Sequence, residues 1–121
     1  MNDVSQPPAV LQQIEAATKA IGFKMASDHL TGALLRTLAA SKPGGILLEL
    51  GTGTGLATAW LLDGMDATAK LLTMDNDEAV VKVAKQYLSN DPRVTFYTID
   101  GDAFIQSLLA AQQTVDLIFA D

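Results

Sequence analysis

The chain has 121 residues, of which 49% are hydrophobic and 18% charged, a globular composition with material for one modest core. Its formal net charge is −6, and its eight basic residues are scattered, which argues against a general nucleic-acid or anionic-membrane surface. The absence of cysteine excludes disulfide frameworks, thiolate metal sites and cysteine nucleophiles, and fits a cytoplasmic location.

No signal peptide is expected, because the N-terminus lacks a basic start followed by an apolar block, and no run reaches the roughly 18 apolar residues of a membrane span. Residues 1–8 are polar, end in two prolines and read as a flexible arm. Residues 9–42 read as two helices. In the first, Val10, Leu11, Ile14, Ala17 and Ile21 recur at helical spacing and Gly22 is the stop. The second starts at a Ser27 or Asp28 cap, and its expected apolar face is Leu30, Ala33, Leu34, Leu38 and Ala39. Residues 41–45, Ser-Lys-Pro-Gly-Gly, break the pattern.

From residue 46 the texture changes. Short apolar or β-prone runs at 46–50, 70–74, 94–99 and 115–120 alternate with helical stretches at 56–62, 77–88 and 103–111. This β-α-β-α-β-α-β order over residues 46–121 predicts an α/β domain with a parallel sheet and right-handed crossovers. The two N-terminal helices extend the same domain, so residues 1–121 read as one unit.

The first strand turns directly into Gly51-Thr52-Gly53-Thr54-Gly55 and then a helix. Glycine admits positive φ and lets a ligand approach backbone, and a helix N-terminus adds free N–H groups. A dinucleotide loop would read G-x-G-x-x-G/A. The sixth residue is Leu56 when counted from Gly51 and Thr58 when counted from Gly53, so both frames fail. No lysine is present for a nucleoside-triphosphate loop. What matches is an acidic residue, Glu49, two positions before Gly51. A carboxylate behind the loop repels phosphate and favours an ammonium group. Asp75 closes the second strand, where an acidic residue can accept both hydroxyls of a ribose. Asp100-Gly101-Asp102-Ala103 follows the third strand; its glycine would let backbone approach a flat ring, and Asp102 could accept from an exocyclic amine. Glu49, Asp75, Asp102 and Asp121 are thus expected along one carboxyl edge of the sheet.

The segments LLELGTGTGLAT, LLTMDNDEAVVKVAKQYL, VTFYTIDGDAFIQSL and VDLIFAD together resemble class I S-adenosylmethionine-dependent methyltransferases. They are most similar to small-molecule O-methyltransferases of the catechol and caffeoyl-CoA type. The resemblance covers roughly residues 25–121. It implies a Rossmann-like methyltransferase fold with strand order 3-2-1-4 for the part present. It also implies S-adenosylmethionine as cofactor, a small-molecule methyl acceptor, and in-line displacement at the sulfonium methyl.

By that resemblance, Gly51, Thr52, Gly53 and Gly55 pass under the methionine part, with Glu49 behind. Asp75 holds the ribose, Asn76 flanks the adenine, and Gly101, Asp102 and Ala103 meet its edge. Asp121 sits by the methionine or sulfonium end. In metal-dependent members an aspartate at this point binds a divalent cation, but the residues present do not support one. No general base is visible before Asp121. The loop is richer in glycine than in those O-methyltransferases, and the fold is expected to lack its C-terminal part.

Blander readings stand beside these. The loop could be only a tight turn, and Glu49 a solvated strand-end charge. Asp75 could cap the following helix, and Asp102 could cap the helix starting near Ala103. His29 reads as a surface residue and Trp60 as core. Met25 and Ser27 fall where the family closes over the methionine tail. An S-adenosylmethionine or adenosine-ligand binding module without turnover is the alternative function, and a nicotinamide-dependent oxidoreductase is weakened by the failed loop frames. The apolar strand at 115–120 is expected to need a cover: further chain, the N-terminal arm, or a second copy in a homo-oligomer.

Overall fold

The computed structural model describes residues 6–23 and 29–121. Its elements run α1 (Leu11–Ala20), α2 (His29–Ala40), β1 (Ile46–Leu50), α3 (Leu56–Gly64), β2 (Lys70–Asp75), α4 (Glu78–Leu88), β3 (Val94–Thr98), α5 (Gly101–Ala110) and β4 (Leu117–Ala120). The strands form one parallel sheet in the order β3-β2-β1-β4, as expected. The expected caps at Ser27 and Asp28, and Met25, lie outside the described residues.

Strand side chains alternate between faces, so parity assigns each residue a side. Leu47 and Leu71 enter the larger core with Leu11 and Ile14 of α1, Leu35 and Ala39 of α2, Trp60 and Leu61 of α3, and Leu88 of α4. Leu48 and Met74 point to the other face, where Phe104 of α5 covers them. The register aligns Glu49 with Thr73 on the larger-core face. A carboxylate is thereby placed inside the core.

Two expectations are corrected. The buried face of α2 is Gly32, Leu35 and Ala39, whereas Leu30 is 81% and Leu34 58% exposed. The cause is Trp60: a Cβ on Gly32 would overlap its indole ring, so this helix must turn its glycine toward α3. A leucine at that position would hold the helices apart. The fourth strand covers 117–120 rather than 115–120, and its pattern is half-buried and exposed in alternation. It pairs only with β1 among the described residues, so its outer edge leaves Ile118 56% exposed. Trp60 is core and His29 is exposed, as read from the sequence; His29 also bonds Glu15.

Candidate functional site

The chain leaves β1 and bends over the end of β2, where the amides of Gly51 and Thr52 both donate to the Met74 carbonyl at 2.8 Å. Gly51, Gly53 and Gly55 have φ of 102°, 54° and 97°. At Gly55 the need is twofold, since a Cβ there would also lie 2.9 Å from Cβ of Ala84 on α4. Position 55 therefore requires glycine, and α3 starts directly after it.

Asp75 anchors this loop. Its Oδ2 accepts from the Gly53 amide at 2.8 Å and its Oδ1 from the Asp77 amide at 3.0 Å. It does not cap α4: Asp77 does, accepting from the Ala79 amide. Each Asp75 oxygen holds one backbone N–H and keeps lone-pair capacity for a further donor. Asn76 follows it, exposed. At the start of α5 the cap is Asp100, which accepts from the Ala103 amide at 3.2 Å, so the capping alternative for Asp102 fails. Asp102 is exposed in the first turn, and the space beside Gly101 is open. Asp121 lies against Gly51, and its amide donates to the Leu50 carbonyl at 3.0 Å.

Glu49 departs from the expected edge position. It is fully buried beneath the loop, because its strand parity turns it into the core. Its Oε1 accepts from Thr58 Oγ1 at 2.5 Å and from Thr73 Oγ1 at 2.8 Å, while Oε2 has no partner. Burial pushes its carboxyl up to about 7, against the pull of the Thr58 and Thr73 hydroxyls, with the charges of Asp121 and Asp75 adding to the rise. Thr73 has one proton and gives it to Glu49, so Thr52, 2.6 Å away, donates to Thr73. Sequence reasoning missed Thr58 and Thr73. Their signal was a lone hydroxyl in an otherwise apolar helix and strand.

The structure thus brings Glu49, the glycine loop, Asp75 and Asp121 together, while Gly101, Asp102 and Ala103 lie one strand further along the same edge, after β3. Among the described residues no group of three or more His, Asp or Glu side chains could hold a metal ion, and no helix is long and apolar enough to cross a membrane.

A glycine turn at the carboxyl edge of a parallel sheet, with carboxylates beside and beneath it, defines an α/β domain with its ligand-binding edge at the ends of β1 and β2. Residues 47–121 match the family model described as a methyltransferase domain, and the chain belongs to that family. A Mycobacterium leprae (strain TN) relative, provisionally named an O-methyltransferase, is 30% identical over 117 residues, covering 93% of this chain and 51% of its own. The fold is similar to that of cofactor-bound Rv0187 from MTB (TM-score 0.81, 25% identity, 99% of this chain and 54% of that one). It is also similar to the O-methyltransferase from Bacillus cereus in complex with SAH (TM-score 0.81, 21% identity, 100% and 55%). The chain spans about half the length of the curated relatives it matches.

Proposed function

We propose that the chain is the S-adenosylmethionine-binding part of a methyltransferase that methylates oxygen on a small molecule. The observation that carries this is the glycine loop folded over buried Glu49 and pinned by Asp75. The residues suit the cofactor. Glu49 Oε2 is a buried oxygen without a partner, directly beneath the loop. Asp75 has acceptor capacity left for ribose hydroxyls. The charges of Asp75 and Asp121 beside the loop oppose a phosphate.

When bound, S-adenosylmethionine supplies a methyl group activated on a sulfonium. The chain's own residues bind and orient it. The backbone of Gly51, Thr52, Gly53 and Gly55 lies under the methionine part; Thr52 offers backbone alone, because its hydroxyl is committed to Thr73. Asn76 flanks the adenine, and Gly101, Asp102 and Ala103 face its edge, where open space beside Gly101 supports the assignment. Asp121 sits at the sulfonium end. Positioning and electrostatics carry such a transfer.

Oxygen as the acceptor atom follows the names of the Mycobacterium leprae and Bacillus cereus proteins. The acceptor pocket is assigned to the length of the relatives that this chain does not share. Among the described residues β4 pairs only with β1, and further strands or a second copy would pair along its other edge. A cysteine-free chain suits the cytoplasm.

Calorimetry with S-adenosylhomocysteine, S-adenosylmethionine and NAD tests the reading. Saturable binding of the first two without NAD is expected, and binding of NAD alone would overturn it. Detection of a methylated product separates an enzyme from a binding module.

A further inference from the structure

The loop's second threonine is held from an unexpected direction. Thr54 is 2% exposed and its hydroxyl lies 2.7 Å from that of Thr18, on α1, 36 residues away. Thr18 is itself fully buried and 2.6 Å from the Ile14 carbonyl. Thr18 Oγ1 donates to Thr54 Oγ1 and also lies within reach of the Ile14 carbonyl, so its single proton serves two buried acceptors. Three consecutive loop residues are thus tied to separate anchors: Thr52 to Thr73, Gly53 to Asp75, and Thr54 to Thr18.

The same turn of α1 makes a second contact. The Thr18 carbonyl accepts from the Phe23 amide at 3.2 Å, after Gly22 at φ 74°. That turn sets the Phe23 ring over the loop, 3.7 Å from where a Cβ on Gly53 would lie.

We propose that Thr18 is a positioning residue for cofactor binding: from α1 its hydroxyl fixes Thr54, while its backbone carbonyl holds the Phe23 turn over the outer side of Gly53. This rests on the S-adenosylmethionine reading above. The N-terminal helix is then a working part of the site rather than an appendage to the domain. Removing the Thr18 hydroxyl leaves the Thr54 hydroxyl buried without its partner and frees the Gly53–Gly55 turn to populate other conformations.

The test is titration of the full chain with S-adenosylhomocysteine, wild type beside Thr18→Val, Thr18→Ser, Thr54→Val and the Thr18→Val/Thr54→Val double variant. Thr18→Val is expected to raise Kd about fivefold, the effect of one lost hydrogen bond on the competent loop population. Thr18→Ser restores near wild-type affinity. The double variant, which leaves no orphan hydroxyl and so is the safer folder, binds no more weakly than either single variant, because both remove the same tie. Amide exchange at Thr54 and Gly55 should quicken in Thr18→Val before any ligand is added. A merely structural Thr18 would lower the melting temperature and leave Kd, measured well below it, unchanged; that result overturns the inference. A wild type that does not bind S-adenosylhomocysteine overturns the cofactor reading, and the inference with it.

Discussion

Glu49→Gln should abolish a pH dependence of stability that the buried carboxyl imposes on the fold. The folded carboxyl is held at about 7 against an ordinary value of 4.5, chiefly by burial. Between those values the folded chain keeps a proton that the unfolded chain has released. Stability from this group is therefore fully present below about 4.5, is lost as pH rises toward about 7, and is level above. The interval, at about 1.4 kcal/mol per pH unit, is worth on the order of 3 kcal/mol, a large share of the stability of a domain this size.

Glutamine can still accept from Thr58 and Thr73 through its carbonyl oxygen and cannot ionise. Its amide hydrogens replace Oε2, which has no partner, so the variant starts with a pH-independent penalty. Other groups cancel in the difference. Asp66 and Asp91, whose carboxyls are held low by the Gly44 amide and by Arg93 respectively, act at the acid end in both proteins. Urea unfolding at four pH values from 4.5 to 7.5, without ligand, gives wild-type minus variant stability. That difference should fall by about 3 kcal/mol across the range. A flat difference would show that Glu49 is solvated, and the account of the loop's electrostatic floor would be wrong.

Asp75→Ala should weaken S-adenosylhomocysteine binding by about 2–3 kcal/mol in calorimetry while the chain stays folded, because it removes a charge-assisted acceptor; Asp75→Glu should be milder, and unchanged affinity would reduce Asp75 to a loop anchor. Gly55→Ala places a Cβ 2.9 Å from Cβ of Ala84 at φ 97°, and should cost about 2–3 kcal/mol in urea unfolding. Gly101→Ala meets nothing within 4 Å and should leave stability equal or raise it by up to about 1 kcal/mol. If an adenine ring uses that open space, the same variant lowers S-adenosylhomocysteine affinity, and full affinity would move the ring elsewhere.

The sequence by itself determined the alternation of strands and helices, the parallel sheet and the glycine loop. These depend on short-range patterns: apolar runs, helical periodicity, and glycines at positions where the backbone takes positive φ. The candidate edge was legible because strand ends can be counted along the chain. The depth of Glu49 was decided in three dimensions. Its parity places it on the larger-core face, and only the register of β2 and the packing of α3 bring Thr73 and Thr58 to it. The burial of α2 was decided there too, since leucines at 30 and 34 are more apolar than Gly32 but cannot lie against Trp60 as closely. Which of several nearby aspartates caps a helix depends on fractions of a turn, so Asp77 and Asp100 took the caps weighed for Asp75 and Asp102. The tie from Thr54 to Thr18 spans 36 residues, and only tertiary packing decides that two buried hydroxyls so far apart in the chain share one proton.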